Sequence, residues 1–518
     1  MQNDSQESLP VRKTFLIGFG FLSAMLCWMV YNFQMPIILA GKIAEDGYSF
    51  IRVGLLGTAA SRQFWTGFIM TIDNIVAIGL QPWFGKLSDR LESRFGRRTP
   101  FMMIGVPVAA ACLCLMAFLE QLNPIMLAFT SFIIVVCIFN LAMAFYRAPI
   151  VALMADNVVP KHRSTANAII NLMGGVGTAI GFLVPIFVTS IPSVKEATTI
   201  TGVLATQNFF IEDATIFMLT ALLMIVALVL FMTLVHEVPT GNGFWHLAPV
   251  PIEFDVEKQQ VITMPSDSGK NMDAQKSRES RSLLGDLAGV FKEEEKSGAF
   301  MLLAIFSWFF GFNALEANFS RWTQEYLLLS GGFVGQLFLA LPIALFLVGI
   351  PSAKIAGKIG RKKTIRLGLA FMIGSLALMI VSQEILRNQV LSGDASPNIW
   401  LLASTIAFMG VGWALININS ITIIWQLAPI DKIGSYTGLY YLFSQLAAIL
   451  SPTFMGGILT AGEVIAGPVH TWRSLVPFML ISMVIALLFM FKVKRGEADE
   501  FSTELEKKAR REAIERLK

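Results

Sequence analysis

The chain has 518 residues, of which 55% are hydrophobic and 15% are charged, and its mean hydropathy is +0.64. About a quarter of the residues of a typical soluble domain are charged, so this composition excludes a chain whose main solvent is water. The formal net charge of +4 is small for this length and gives no indication of nucleic-acid binding. We therefore expect an integral membrane protein with no nucleic-acid partner.

Twelve apolar runs are long enough to cross the roughly 30 Å hydrocarbon core of a bilayer. Six runs lie on each side of a polar stretch, which predicts an all-α membrane protein with twelve transmembrane helices in two six-helix bundles. The predicted spans are 15–39, 64–84, 101–119, 125–146, 166–188, 214–235, 299–322, 334–353, 365–381, 399–425, 437–459 and 475–491. The predicted parts are an N-terminal segment (1–13), a first bundle (14–235), a connector (236–298), a second bundle (299–493) and a charged tail (494–518).

Lysine and arginine are distributed unequally between the two sides of the membrane. The short loops of one side carry fourteen of them, and those of the other side carry six, among which we count Arg62. Basic residues accumulate in cytoplasmic loops, so the first side is predicted to be cytoplasmic. With an even number of spans, both termini lie there, and the expected location is a plasma membrane such as the bacterial inner membrane.

A short basic motif occurs twice, at equivalent places in the two halves. The loop after the second span contains Gly85, Asp89 and Arg90 followed by Gly96, Arg97 and Arg98, and the loop after the eighth repeats the pattern between residues 353 and 362. The second copy has Gly357 where the first has Asp89. Repetition of a six-helix unit is typical of pseudo-symmetric transporters.

These loops resemble the signature loop of the major facilitator superfamily. The resemblance of the chain to that family covers nearly all of the membrane part. The longer first copy, with Asp156 and Arg163 after the fourth span, is similar to the glycoside and sucrose symporters, including the solute carrier 45 type. The resemblance implies alternating-access transport of a sucrose- or maltose-like disaccharide. It also implies a cytoplasmic gate built from Gly85, Asp89, Arg90, Gly96, Arg97, Arg98, Asp156 and Arg163.

Within that resemblance, the Asp89 position is implied to lock the cytoplasmic face through charge and helix-end contacts, and a carboxylate suits a helix N-terminus. The presence of Gly357 in the second copy predicts that the lock is not symmetric. Melibiose-type relatives carry two aspartates at positions that are Gln81 and Ala77 here. A proton is therefore favoured over sodium as the coupling ion.

Ionisable residues at membrane depth are informative, because a charge there is costly unless it has a partner or a water-filled cavity. They are Asp73 in the second span, Arg147 at the end of the fourth, and Glu316 with Arg321 in the seventh. Asp73, Arg147 and Glu316 are therefore the proton-coupling candidates, with Arg147 as the ionic partner of Asp73. The alternatives are a structural hydrogen bond for either acid and a headgroup anchor for Arg147. Arg321 and Glu325 are four residues apart, which predicts a local pair at the outer end of the seventh span.

Amides and aromatic rings within the spans suit a polyhydroxylated ligand, because amides both donate and accept hydrogen bonds and rings stack on sugar faces. For each residue, packing between helices is the alternative. The substrate-binding candidates are Asn32, Gln34, Asn140, Asn313, Asn417, Gln445, Trp413 and Tyr440.

The sequence contains no pattern that indicates an enzyme, a metal site or another cofactor. The four histidines lie in separate loops, the four cysteines lie in apolar runs, and no phosphate-binding Walker loop is present. The prediction is a monomeric symporter that moves a sugar or glycoside together with a proton. A drug or lipid exporter of the same fold and a non-transporting membrane sensor remain as alternatives.

Overall fold

The structure is a computed structural model that describes residues 11–43, 50–157, 163–191, 205–237, 246–247, 252–255, 260–263, 283–292, 295–329, 331–393, 398–428 and 433–496. The N-terminal segment up to residue 10 and the tail beyond residue 496 lie outside these ranges. The predicted connector contains a short helix, α8 (Leu283–Lys292).

Each of the six apolar runs of the first half lies in helical structure. The helices are α1 (Val11–Ala40), α2 (Arg62–Ile69), α3 (Ile72–Arg90), α4 (Thr99–Leu119), α5 (Ile125–Asn157), α6 (Arg163–Ser190) and α7 (Ala205–Leu234). The second predicted span was expected to be one helix, but it is divided between α2 and α3. The Thr71 hydroxyl donates to the Phe68 carbonyl oxygen at 2.7 Å, a local side-chain bond that competes with regular helix bonding at this point.

The second half repeats this arrangement. Its elements are α9 (Ser297–Arg321), a π turn (Trp322–Tyr326), α10 (Gly331–Ile359), α11 (Arg361–Leu391), α12 (Ile399–Leu427), α13 (Ile433–Ala466), a 3₁₀ turn (His470–Ser474) and α14 (Leu475–Lys492). Within the described residues, eleven helical segments are long and apolar enough to cross a membrane. The eighth predicted span lies in α10, whose described apolar stretch Leu337–Gly349 is shorter. The all-helical membrane architecture is confirmed, and the count of twelve stays a prediction.

Three short antiparallel strand pairs lie in the loops. They join β1 (Lys42–Ile43) to β2 (Phe50–Arg52), β3 (Leu91–Glu92) to β4 (His246–Leu247), and β5 (Ile252–Asp255) to β6 (Gln260–Thr263). The pairing of β3 with β4 brings the connector against the first copy of the basic motif.

Helix pairing is the same in the two halves. In the first half α1 packs on α6 and α7, α4 packs on α5 and α7, and α3 packs on α5. In the second half α9 packs on α13 and α14, α11 packs on α12 and α14, and α10 packs on α12. These pairs correspond one to one. The first half has an apolar core of its own, and the core of the second half also includes Met29, Phe33, Ile37 and Phe182 of the first. The internal repeat of the sequence is therefore also a repeat of the packing.

Within the described residues, the halves meet chiefly through α2 with α13, α6 with α10 and α1 with α9, and α3 also contacts α13. We call the end of the bundle where α1 begins and α14 ends the terminal face, and the end where α1 finishes the distal face. Two glycines allow α2 and α13 to approach closely near the distal face. A Cβ atom would lie 2.2 Å from the Pro452 carbonyl oxygen at Gly67, and 2.5 Å from the Gln63 carbonyl oxygen at Gly456.

This close approach predicts that two adjacent glycines of α13 differ in whether they can be replaced by alanine. Gly456→Ala is expected to push α13 away from α2 and to lower the thermal unfolding midpoint, because a backbone carbonyl cannot move aside as a flexible side chain can. Gly457→Ala is the matched control, since its Cβ would meet only the Phe64 ring at 4.0 Å. Unfolding of the two purified variants in the same detergent measures the difference. Equal midpoints would contradict the packing described here.

Candidate functional site

A cavity of about 230 Å³ lies between the two halves, where α1 and α6 face α9 and α10. It is lined by Met29, Asn32, Phe33, Phe182, Glu316, Phe319, Ser320 and Phe338. Both halves therefore contribute to its wall.

The wall of the cavity is mostly aromatic with a few polar groups. Asn32 comes from the first half, while Glu316 and Ser320 lie one turn apart on α9 and share a face. Phe338 packs against rings from both halves, with centroids 4.7 Å from Phe182 and 4.3 Å from Phe319. Such a wall offers flat apolar faces and a small number of hydrogen-bonding groups, which is the usual composition of a small-molecule site.

Of the three predicted coupling residues, Asp73 lies within electrostatic reach of the other two. Asp73 is buried on α3, and its carboxylate accepts a hydrogen bond from the Asn74 amide at 2.9 Å. The charges of Arg147 and Glu316 both act on that carboxylate. No ion pair within 4.0 Å joins Asp73 to Arg147 in the described part of the chain, so the predicted pairing is longer in range than expected. The Arg147 guanidinium lies 5.7 Å from the centre of the Trp28 ring.

Four of the predicted substrate-binding residues are engaged in packing instead. The Gln34 amide donates to the buried Asp213 carboxylate at 2.9 Å. The Asn313 amide donates to a carbonyl oxygen of its own helix. Trp413 lies flat on Phe312 with centroids 3.9 Å apart, and the hydroxyl of Tyr440 is 3.1 Å from that of Ser420.

The four remaining substrate-binding candidates are amides, and they differ in their position relative to the cavity. Asn32 lines it, whereas Asn140, Asn417 and Gln445 are not among its lining residues. Asn140 is 2% exposed, and within the described residues neither of its amide atoms has a hydrogen-bond partner. Of the eight substrate-binding candidates, the structure therefore places Asn32 at the cavity, beside the coupling candidate Glu316.

On the terminal face, Arg98 is the centre of an ionic network. Its guanidinium contacts Asp89 at 2.5 Å and Asp156 at 2.9 Å, and it also donates to the Ser88 hydroxyl. Burial disfavours the charged guanidinium, but the two carboxylates raise the pKa of Arg98 above its ordinary value. Arg98 is therefore a permanent cation that ties the end of α3 to the end of α5.

The carboxylate that caps a helix here is Glu237 and not Asp89. Glu237 accepts hydrogen bonds from the backbone N–H groups of Arg97, Arg98 and Thr99 at the start of α4, at distances from 2.8 to 3.1 Å. Asp89 precedes the last residue of α3 and pairs with Arg98, the residue before α4, so the lock predicted for it stays a prediction. An anion at this place satisfies backbone donors and complements the positive end of the helix dipole.

The remaining members of the predicted gate have different surroundings. Gly96 has a φ of +90°, and a Cβ there would lie 2.3 Å from the Glu237 side chain, so only glycine fits. The carbonyl oxygen of Gly85 lies 3.4 Å from Arg98 Nη1, and Arg90 is exposed. Arg163 begins α6, but its side chain lies outside the described residues.

We expect Glu237→Ala to destabilise the first half by about 1 kcal/mol, the usual cost of removing an N-terminal cap. The matched control is His236→Ala, which changes the preceding residue and leaves the cap in place. Thermal unfolding of the purified variants measures both. A drop in midpoint that is equal in the two variants would show that the capping bonds are not the cause.

A second polar network, the distal clasp, joins the two halves at the distal face. We define it as Arg62, Gln63, Arg321, Glu325 and Glu463. Arg62 binds Glu463 at 2.7 Å, with side-chain exposures of 0% and 11%, and the Gln63 amide donates to the same carboxylate at 3.2 Å. Arg62 was counted as a loop cation, but it is buried in α2 and paired across the halves.

Arg321 extends the clasp within the second half. The predicted local pair with Glu325 is confirmed, since Nε of Arg321 donates to the Glu325 carboxylate at 2.8 Å. The same guanidinium also donates to the side-chain oxygen of Gln63 in the first half. The indole N–H of Trp472 donates to Glu325 at 3.1 Å and completes its surroundings. The pair is thus part of a contact between the halves.

Within the described residues, no group of three or more His, Cys, Asp or Glu side chains is placed to hold a metal ion.

The curated proteins that match part of the chain include two transport proteins. The general alpha-glucoside permease of Schizosaccharomyces pombe is 30% identical over 194 residues, which cover 34% of this chain and 31% of that protein. The sucrose transport protein SUC3 of Arabidopsis thaliana is 28% identical over 133 residues, which cover 23% of this chain and 22% of that protein. The chain thus matches less than a third of the length of either relative.

Solved structures match over almost the whole chain at low sequence identity. A D-xylose-proton symporter aligns with a TM-score of 0.61 and 15% identity, covering 94% of this chain and 97% of that one. The nucleoside transporter NupG aligns with a TM-score of 0.58 and 14% identity, covering 93% and 100%. These likenesses show a shared fold. The family model of the Major Facilitator Superfamily matches residues 17–452 and, in a second match, 325–517. The chain therefore belongs to the Major Facilitator Superfamily.

Proposed function

We propose that this chain is a proton-coupled symporter of a sugar or glycoside that works by alternating access, with its terminal face in the cytoplasm. The observation that carries the proposal is the cavity between the halves, in which Asn32 and Glu316 face aromatic rings. A sugar ring has an apolar face that stacks on aromatic side chains and a hydroxylated edge that binds amides and carboxylates. The partial matches to an alpha-glucoside permease and a sucrose transport protein support the same substrate class.

The positions of the two acids support coupling to a proton. Asp73 belongs to the first half and Glu316 to the second, and their charges act on each other with Arg147 nearby. When both carboxylates are ionised they repel, and the repulsion is strong because little water separates them. A proton on either acid removes the repulsion, so proton binding and approach of the halves favour each other. This linkage is what a symporter needs.

The size of the cavity indicates how the substrate enters. The cavity has room for about one water molecule, far less than the roughly 300–1,000 Å³ of pockets that enclose drug-sized ligands. The distal ends of the halves are joined by the distal clasp. A disaccharide would therefore enter or leave through separation of the halves on the terminal side.

The deciding experiment uses the full chain in proteoliposomes with an imposed pH gradient. Uptake of labelled sucrose, maltose and a methyl glucoside is measured with the gradient present, with it collapsed, and with sodium replaced. Gradient-dependent uptake of at least one glycoside is the expected result. Uptake that does not respond to the gradient would refute proton coupling. Uptake of none of the three, with binding of an apolar drug or lipid, would refute the sugar assignment and favour an exporter.

A further inference from the structure

Three polar side chains converge on the cavity between the halves, and they come from both halves. Asn32 lies on α1, while Glu316 and Ser320 are four residues apart on α9 and therefore share one face of that helix. The other lining residues are apolar, namely Met29, Phe33, Phe182, Phe319 and Phe338. The three side chains thus form one polar patch in an otherwise apolar wall.

None of the three side chains has a hydrogen-bond partner within the described part of the chain. Ser320 is 3% exposed, and its hydroxyl oxygen is buried without a partner. Asn32 and Glu316 are half-buried, and among the described residues neither side chain forms a hydrogen bond or an ion pair. Folded proteins satisfy nearly all of their buried polar groups, so three such groups around one cavity indicate a ligand that bonds to them.

The size of the cavity and the chemistry of these groups favour water as that ligand. The cavity has room for about one water molecule, and a buried water typically makes about three hydrogen bonds. The Ser320 hydroxyl and the Asn32 amide can donate, whereas the Glu316 carboxylate accepts. Water serves all three because it both donates and accepts. A metal ion accepts no hydrogen bond, so it could not serve the two donors.

The position of the cavity links this ligand to the distal clasp. Ser320 directly precedes Arg321 of the clasp, and α1 packs on α9. Separation of the halves at the distal face would move Asn32 away from Glu316 and Ser320, because the two walls belong to different halves. A water can therefore bond to both walls only while the distal face is closed.

We propose that Asn32, Glu316 and Ser320 bind one ordered water between the halves, and that this water stabilises the conformation in which the distal face is closed. The inference goes beyond the proposed function, because it concerns the contact between the halves and not the substrate. It rests on that function only in requiring that the halves separate. Ser320 was not among the site residues predicted from the sequence.

The first test uses the sign of one substitution. Distances between spin labels at the exposed positions Ala59 and Ala461 report the ratio of closed to open chains at the distal face. The purified full chain carries Arg62→Ala, which weakens the distal clasp so that both conformations are populated. If the water binds, Ser320→Ala removes one bond of the bridge, and the ratio is expected to fall about fivefold, the usual effect of one hydrogen bond.

The same substitution has the opposite effect if no water binds. It then removes an unsatisfied buried hydroxyl from the closed conformation, so the ratio would rise. An unchanged or raised ratio would refute the proposal. The matched control is Ser307→Ala on the same helix, because the buried Ser307 hydroxyl donates to the Leu303 carbonyl oxygen at 2.8 Å, a bond within α9 that separation of the halves does not break. An equal fall in the control would also refute the proposal.

A double-mutant cycle tests the bridge from its other wall. Asn32→Ala is expected to lower the ratio about fivefold as well. Asn32 and Ser320 form no direct hydrogen bond, so independent effects would multiply to about 25-fold in the double variant. A shared water predicts a fall of only about fivefold, because either substitution already breaks the bridge. Effects that multiply would refute a ligand common to the two residues.

The last test identifies the occupant. Crystals of the full chain with the distal face closed, grown without sugar, are expected to show one peak within hydrogen-bond distance of Ser320 Oγ. Absence of the peak would refute the water. Soaking with thallium(I) is expected to give no anomalous signal there, and such a signal would identify a monovalent cation instead. If the chain takes up no glycoside, the proposed function fails, while the label distances and the crystals still decide whether water joins the halves.

Discussion

Asp73→Asn is expected to abolish accumulation of substrate against its gradient while leaving counterflow intact. Asparagine has nearly the same shape as a protonated aspartate, so the variant can bind substrate and exchange it but cannot release a proton. A difference of one pH unit is worth about 1.36 kcal/mol, which drives about tenfold accumulation for each coupled proton. In proteoliposomes with that gradient, the accumulation ratio of the variant is expected to fall to one.

Two further variants make this result specific. Glu295→Gln removes a half-exposed carboxylate at the terminal face, 3.4 Å from Arg495, and is expected to keep the full accumulation ratio. Glu316→Gln is expected to lower accumulation as well, because Glu316 shares the electrostatic environment of Asp73. Asp73→Asn with an undiminished accumulation ratio would remove Asp73 from the coupling mechanism.

The second large effect is expected at the distal clasp. Arg62→Ala leaves Glu463 without its cation in a site that is 11% exposed, and breaking a buried ion pair of this kind costs about 3–5 kcal/mol. Because the pair joins the two halves, its loss destabilises the conformation in which the distal face is closed. We therefore expect the variant to open at the distal face. Distances between spin labels introduced at Ala59 and Ala461 measure the opening, since both positions are exposed at that face.

A double-mutant cycle isolates the contribution of the pair. Once Arg62→Ala is present, adding Glu463→Ala is expected to restore part of the closed population, because it removes the unpaired charge. The matched control is Arg473→Ala, which breaks a more exposed pair with Glu384 within the second half. Exposed pairs contribute about 0–1 kcal/mol, so the label distance is expected to stay unchanged. Identical distances in Arg62→Ala and Arg473→Ala would show that the clasp does not hold the halves together.

The membrane architecture could be predicted from the sequence because a bilayer imposes length and apolarity on each span independently of the rest of the chain. Each predicted span lies in helical structure, the second across two helices, and the repeated basic motif agrees with the repeated helix pairing. The break between α2 and α3 was missed, because hydropathy shows that a segment is apolar and not whether its backbone is continuous. Thr71 was the available signal, since its hydroxyl forms the local bond at that point.

The site was less accessible to sequence reasoning, because its contacts join distant parts of the chain. Arg62 and Glu463 are 401 residues apart, and no local pattern predicts that they meet. Asp213 was missed because the sixth span was predicted to start one residue later, although a buried acid beside an apolar run is a signal that the sequence contains. The amides show the same limit. Their chemistry suits a ligand, but Gln34 joins α1 to α7 through Asp213, and Asn313 bonds a carbonyl oxygen of its own helix.

The repeated packing has a consequence for how the polypeptide can be divided. Each half contains its own set of helix pairs, although Met29, Phe33, Ile37 and Phe182 of the first half also pack into the core of the second. The halves are held at the distal face by the Arg62 pair with Glu463 and by the glycine contacts of α2 with α13. A gene split within codons 264–282 would therefore encode two fragments that each keep their own helix pairs. When the two fragments are co-expressed in one membrane, they should associate and restore uptake. A fragment pair that also carries Arg62→Ala should assemble poorly.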